Sequence, residues 1–206
     1  YRKLRDRRGS PGSCVHRTFF EDDLKYFCRG FRACYKKYGS LEALFRSAMS
    51  PPLLGEAAPA FPARGSAAAA NSGIWEGIAL FRETMARGNG GLYTKHIADP
   101  YSSSPCKRLF LSLRWLVRRE GPVDMGLWKS VSPASLCIPL DLHVGRAARR
   151  LGLLDPARQA NDRKAALALT ERLREFCPED PARYDLALFG WGVENGGTVQ
   201  NDPVVD

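Results

Sequence analysis

The sequence predicts an all-α protein. Apolar residues recur at helical spacing along most of the 206 residues, and long alternating runs of β-branched residues are absent. Glycine and proline residues separate the periodic segments, as expected between helices. With 44% hydrophobic and 26% charged residues, the chain can bury a core without disulfides. No apolar run approaches the about 20 residues that span a bilayer, so we expect no membrane partner.

The first 50 residues read as a basic arm followed by two helices. The spacing of Thr18 and Glu21 is typical of a capping box, which predicts that the first helix starts there. Gly39 ends that helix, and Ser40 can cap a second one that runs to Met49.

The next segment, 51–72, is rich in alanine, proline and glycine and predicts a linker or loop. Helical spacing returns over 74–87, and we expect one helical domain over 73–193. The last residues, 194–206, predict a flexible tail.

The remaining helices of the 73–193 domain follow from apolar spacing and from residues that cap helix starts. They are Cys106–Arg119, a short turn at Ser132-Pro133, Leu142–Leu151 opened by Asp141, 162–176 capped by Asn161, and 182–192 after Asp180-Pro181.

Positive charge is concentrated in two segments. The chain has 31 Lys and Arg against 22 Asp and Glu, a formal charge of +9. Residues 1–50 carry +7 and residues 107–150 carry +6, whereas residues 151–206 carry −4. This polarity favours nucleic acid, an anionic surface or an acidic protein as partner.

The six cysteines are scattered and form no CxxC pair. Zinc and iron–sulfur sites usually need closely spaced pairs, so we expect no metal, no iron–sulfur cluster and no other cofactor. Reduced thiols of this kind are typical of a cytoplasmic protein.

Three blocks carry a family resemblance. Ile138–Leu153, with Asp141 before Leu-His-Val-Gly-Arg, resembles the V-D-T-H-I-x-R-V stretch of the helix-hairpin-helix DNA glycosylases, the endonuclease III-like superfamily. Asp180–Gly190 resembles a later helix of that superfamily. Ser103–Arg118 together with Val123–Trp128 resembles an uncharacterised bacterial family of domains of unknown function, itself a distant glycosylase relative. The chain also resembles the archaeal 8-oxoguanine glycosylases.

The resemblance implies a helix-hairpin-helix glycosylase-like helical domain with a cleft between helical bundles. It implies base-excision repair of double-stranded DNA, with a damaged base, here expected to be an oxidised purine, flipped out and excised. Asp141 would stabilise positive charge on the sugar, and Lys107 would be the nucleophile if the enzyme is also a lyase. Lys129 is a rival amine. Two departures are the turn Tyr-Ser-Ser-Ser-Pro before Lys107, where the family has Leu-Pro-Gly-x-Gly, and the 34-residue interval from Lys107 to Asp141, which is longer than in the endonuclease III-like enzymes by about one loop, Gly121–Ser132. The four-cysteine cluster motif of endonuclease III is also absent.

Further residues are assigned to DNA contacts or to the base pocket. The expected DNA contacts are Ser103, Ser104, Arg108, His143, Arg146, Arg149 and Arg150, the last three as one outward stripe. A structural role for His143 is an equal alternative. The base-pocket candidates are Trp128, Phe189 and Trp191, although Trp115, Trp128 and Trp191 are first expected in the core.

Two other functions stay open. One is a nucleic-acid-binding module that keeps the fold without catalysis, and the other is a helical scaffold that binds an acidic protein. We expect a monomer in the bacterial cytoplasm, associated with the nucleoid.

Overall fold

The computed structural model of the chain describes residues 14–16, 18–49 and 69–195. The predicted arm, most of the 51–72 linker and nearly all of the 194–206 tail lie outside these residues. The described chain is mostly helical, which confirms the all-α prediction. The helices are α1 Glu21–Tyr38, α2 Leu41–Met49, α3 Ala69–Arg87, α4 Lys107–Val117, α5 Leu142–Arg150, α6 Arg163–Arg174 and α7 Asp185–Glu194, with 3-10 turns at Pro133–Ser135 and Pro181–Tyr184.

A short hairpin precedes α1 and was not predicted. Strands β1 (Cys14–His16) and β2 (Phe19–Phe20) pair antiparallel. The helix therefore begins at Glu21 and not at Thr18, and the carboxylate of Asp23 accepts a hydrogen bond from the Phe20 amide at 2.9 Å. The predicted capping box is wrong by two residues, because Phe19 and Phe20 belong to the strand.

The packing divides the chain into two units. One holds α1, α2 and residues 72–100, and the other holds the chain from Tyr101 onward. The predicted 73–193 domain therefore includes parts of both. None of the helices in the described ranges is long and apolar enough to cross a membrane.

The first unit has an apolar core built on one face of α3. Ile74, Ile78 and Met85 of that helix are fully buried. Gly30 of α1 is needed at the crossing, because a Cβ there would lie 2.5 Å from the Met85 sulfur atom.

In the second unit, α5 and α7 pack closely against each other. A Cβ on Gly192 of α7 would lie 2.3 Å from the backbone oxygen of His143, so this crossing requires a glycine. The surrounding core consists of Phe110, Leu113, Leu136, Ile138, Leu140, Val144, Ala147, Leu169 and Leu173. These contacts fix the start of α5 against α7.

Two predicted helix starts are corrected. The N-cap of α6 is Asp162 and not Asn161, since the Asp162 carboxylate accepts from the Ala165 amide at 2.9 Å. Asp180 does not cap a helix with its side chain, and the predicted 182–192 helix is a 3-10 turn followed by α7 from Asp185.

Candidate functional site

The site centres on an ion pair between the starts of two helices. Lys107 is the first residue of α4, and Asp141 directly precedes α5. The Lys107 Nζ lies 3.0 Å from the Asp141 Oδ2. The lysine side chain is 44% exposed, whereas that of the aspartate is 10% exposed. The pair therefore has an amine that solvent or a ligand can reach and a carboxylate held below the surface.

The carboxylate of Asp141 divides its two oxygens between different tasks. Oδ1 accepts a hydrogen bond from the Val144 amide at 2.8 Å and so caps α5. Oδ2 faces Lys107. The Asp141 backbone oxygen accepts from the Asn161 side-chain amide at 3.0 Å. The carboxylate is thus oriented by the helix that it caps, and the backbone of Asp141 is held by a residue 20 positions later in the chain.

Asn161 is held in turn by Arg149. Its Oδ1 accepts from Arg149 Nη1 at 2.8 Å, and the same guanidinium donates to the backbone oxygens of Arg158 and Ala160. Gly145 makes room for this arrangement, because a Cβ there would lie 2.3 Å from Asn161 Oδ1. The loop before α6 is therefore part of the support of Asp141.

The turn before Lys107 is closed by serine hydroxyl groups. The Ser104 amide donates to Ser102 Oγ at 3.1 Å, and the Cys106 amide donates to Ser104 Oγ at 3.2 Å. The Ser103 backbone oxygen accepts from the Arg163 amide at 2.7 Å. Cys106 lies in the left-handed region, at φ 48° and ψ 33°, which costs a non-glycine residue about 1 kcal/mol or more. Such strain often accompanies functional positions.

A buried charge network lies behind the ion pair. Arg114 of α4 donates to Asp124 at 3.1 Å and faces Asp185, the first residue of α7, at 3.5 Å. Arg118 binds the same Asp124 carboxylate and also donates from Nε to Asp180 at 2.9 and 2.8 Å. Both arginines are 2% exposed. Buried charges need such partners, because removing one leaves another unpaired in a poorly solvated site.

Asp185 couples this network to the ion pair electrostatically. Burial raises the pKa of the Asp185 carboxyl to about 6, the Arg114 guanidinium opposes the rise, and the negative charge of Asp141 adds to it. The positive charge of Lys107 acts in the opposite sense. A buried carboxyl whose pKa is raised to about 6, and which feels the charges of Asp141 and Lys107, is a group of the kind found in active sites.

The comparison with known families agrees with the sequence resemblance at the coarser level. A family model described as "Protein of unknown function (DUF2400)" matches residues 3–194. The chain belongs to this family. No curated protein and no solved structure matches it. The family match spans Lys107, Asp141 and Asp185 together.

In this member of the family, the predicted basic stripe on α5 is only partly exposed. Arg146 and Arg150 are exposed, but Arg149 is 9% exposed and donates to internal acceptors. The expectation that Arg149 faces outward is therefore corrected. Arg150 donates to the Asn195 backbone oxygen at 2.8 Å. Elsewhere Arg108 and Ser103 are exposed and Ser104 is half-buried, and their contacts with DNA stay predictions.

The aromatic base-pocket candidates differ in accessibility. Phe189 is 40% exposed, and the His143 ring meets it edge-on with 5.4 Å between ring centroids. His143 lies two residues after Asp141 at the start of α5. Trp191 is half-buried, with the Arg150 guanidinium 5.3 Å from its ring centroid. Trp128 is buried, which favours its alternative role in the core.

Sequence reasoning missed several residues of the site. Asp185 and Gly145 were interpreted only as parts of predicted helices, and Asn161 as a helix cap. The rival amine of Lys129 donates to the Gly126 backbone oxygen and so closes its own loop. Within the described ranges no group of three His, Cys, Asp or Glu side chains is placed to hold a metal ion.

Proposed function

We propose that this protein is a DNA glycosylase with lyase activity that excises a damaged base, expected to be an oxidised purine. The observation that carries the proposal is the 3.0 Å approach of Lys107 Nζ to Asp141 Oδ2. These are the two residues on which the glycosylase resemblance places the nucleophile and the carboxylate. The Phe189 and His143 rings, which pack against each other at the start of α5, are the aromatic surface that we propose for a flipped base.

The proposed reaction begins on the anomeric carbon of the damaged nucleotide. The Lys107 ammonium, paired with Asp141 in the structure, first gives up a proton to solvent. Its amine then forms a bond to C1′ while the glycosidic bond breaks, and the base leaves with the bonding electrons and takes up a proton. The Asp141 carboxylate stabilises the positive charge that develops on the sugar, an interaction that is strong in a site with little water. The nitrogen then loses its extra proton.

The lyase step follows from the covalent intermediate. Opening of the sugar ring breaks the C1′–O4′ bond and leaves a protonated imine between Lys107 and C1′, with O4′ taking up a proton. Loss of a proton from C2′ then expels the 3′ phosphate and cleaves the strand. Lys107 is accessible enough for this role, since its side chain is 44% exposed. Asp141 is held too firmly to follow the amine away from its helix.

Borohydride trapping tests this proposal. The full chain is incubated with a duplex that contains 8-oxoguanine, and borohydride reduces the imine to a stable amine that links protein to DNA. We expect an adduct that Lys107→Gln abolishes. Lys164→Gln is the matched control, because Lys164 is an exposed lysine in the first turn of α6, outside the site. The proposal would be contradicted if the protein formed no adduct and released no base across a panel of damaged bases.

A nucleic-acid-binding module without catalysis is the second candidate. The turn before Lys107 favours it over the enzyme, because the Ser104 and Cys106 amides already donate to serine hydroxyl groups and do not present the phosphate grip of the glycosylase hairpin. The exposed Arg108 and Arg146 would supply the duplex contacts instead. This candidate predicts duplex binding that survives Asp141→Asn, depends steeply on salt and shows no preference for a lesion.

A further inference from the structure

One exposed face of α4 continues from Lys107 towards the C-terminal end of the helix. Arg108, Ser112 and Trp115 of the helix recur at a spacing of three or four residues, Arg119 follows two residues after the helix end, and all four are exposed. Trp115 is 36% exposed, so its expected place in the core is corrected. It lies about 12 Å along the helix axis from Lys107. We call Arg108, Ser112, Trp115 and Arg119 the α4 face.

The loop after α4 folds back against the end of this helix and is held there by backbone hydrogen bonds. The Met125 amide donates to the Trp115 backbone oxygen at 2.8 Å, and the Trp128 amide donates to that of Leu116 at 2.8 Å. Gly126, at φ 56°, packs so closely that a Cβ would lie 2.6 Å from the Arg119 Cβ. The glycine is required both by its conformation and by this approach.

Buried ion pairs also hold the same loop. The Asp124 carboxylate is buried and binds both Arg114 and Arg118. Burial alternates along the loop: Asp124, Gly126 and Trp128 are buried, whereas the intervening residues are exposed.

The exposed residues between Val123 and Leu127 are all apolar. Val123 is 44% exposed, Met125 54% and Leu127 60%. We call these three residues the apolar tip. Single exposed apolar side chains are common, but here three occupy alternate positions of a firmly anchored loop, beside an exposed tryptophan. A loop that holds apolar groups in water in this way is suited to insert them into a partner.

The charge around the tip indicates the class of partner. Arg108 and Arg119 on the α4 face are exposed, and neither guanidinium forms an ion pair within the described residues. Segment 107–129 carries six basic residues against two acidic ones. Basic residues that flank apolar groups complement a duplex, in which phosphates bind the arginines and apolar wedges enter between base steps. The face also shares its helix with Lys107.

We propose that the α4 face and the apolar tip form a nucleic-acid contact surface beyond the Lys107–Asp141 pair, with Met125 and Leu127 inserted against the bases of a duplex. This inference rests on the proposed function only in taking nucleic acid as the ligand. Arg108 and Arg119 bind phosphates on either side of Trp115, and the apolar tip deforms or unstacks the adjoining step.

Duplex binding by the full chain tests the inference. The probe is a fluorescent duplex with a stable tetrahydrofuran abasic analogue, and binding is followed by anisotropy. We expect Met125→Ala/Leu127→Ala to weaken affinity about tenfold with an unchanged salt dependence, because no charge is removed. Arg108→Gln/Arg119→Gln should weaken affinity and reduce the salt slope by about one for each lost phosphate contact.

The matched control is Leu151→Ala/Phe176→Ala, which removes apolar groups that are 50% and 59% exposed elsewhere in the same unit. It should bind as the unchanged protein does. The inference would be overturned if the Met125/Leu127 variant bound the duplex as tightly as the unchanged protein. It would also be overturned if that variant bound the duplex normally but lost affinity for vesicles that contain phosphatidylserine. Because the abasic analogue cannot be cleaved, duplex binding is measured independently of catalysis. If no borohydride adduct formed but Met125→Ala/Leu127→Ala still weakened duplex binding strongly, only the proposed enzymatic activity would be contradicted.

Discussion

Lys107 Nζ and Asp141 Oδ2 lie 3.0 Å apart although 34 residues separate them in the chain. The other oxygen of Asp141 caps α5 by accepting from the Val144 amide. One oxygen of Asp141 therefore stabilises α5 and the other takes part in the proposed chemistry. A substitution that keeps the first oxygen and removes the negative charge can separate these two roles.

Asp141→Asn should abolish base release with little effect on stability. Asparagine caps helices as well as aspartate does, and a half-exposed ion pair contributes at most about 1 kcal/mol. Removing the carboxylate should lower base release by about 100-fold or more. Single-turnover excision and urea unfolding measure the two effects. Asp162→Asn, at the cap of α6, is the control and should retain activity. Wild-type excision by the Asp141 variant would contradict its catalytic role.

Gly145→Ala should impair the site indirectly, by displacing Asn161. The added Cβ would meet Asn161 Oδ1 at 2.3 Å, so Asn161 must move and lose its hold on the Asp141 backbone. We expect slower adduct formation and a loss of about 1–3 kcal/mol in the free energy of unfolding. Gly190→Ala is the control, because nothing lies within 4 Å of its Cβ position. Equal activity of both variants would show that Asn161 does not position Asp141.

Asp185→Asn should change how stability depends on pH. Burial raises the pKa of the Asp185 carboxyl from 3.8 to about 6, so between these values the folded state binds more protons than the unfolded state. This residue therefore makes unfolding easier as pH rises through that window. Asparagine removes the contribution, and the free energy of unfolding should fall less steeply with pH. Urea titrations across the window measure it, and identical slopes would refute the assignment.

Arg149 and Arg146 should behave differently although they lie on one helix. Arg149→Met removes donors from Asn161 and two backbone oxygens and should destabilise the fold by about 1–3 kcal/mol. Arg146 is exposed, so Arg146→Met should leave stability unchanged and lower the salt slope of duplex binding by about one. Thermal unfolding and anisotropy distinguish the two. If Arg149→Met were as stable as Arg146→Met, the internal role of Arg149 would be wrong.

The helices of the second unit could be predicted from sequence because their signals are local. The α4 and α5 segments repeat apolar residues at helical spacing, and Asp141 directly precedes the second of them. The site pair followed from a family resemblance, since no local pattern relates Lys107 to a carboxylate 34 residues away.

What could not be predicted depends on contacts between distant segments. Asn161 and Asp162 are equally good helix caps, and the choice between them is made by the bond from Asn161 to the Asp141 backbone. Arg149 was placed outside because its neighbours are basic, whereas the loop that covers it is visible only in the fold. Trp115 was placed inside because tryptophan is apolar, but it lies on the exposed face of α4.

The left-handed backbone at Cys106 has a consequence for natural variation at the residue before Lys107. Within the described chain it is the only non-glycine residue with positive φ, and its side chain is 1% exposed. Position 106 must therefore tolerate an unusual backbone and also fill a small enclosed space. Cysteine and glycine meet these demands at modest cost, whereas a β-branched residue would redirect the first turn of α4. We therefore expect little variation at this position among members of the family, and a β-branched residue there should displace the lysine.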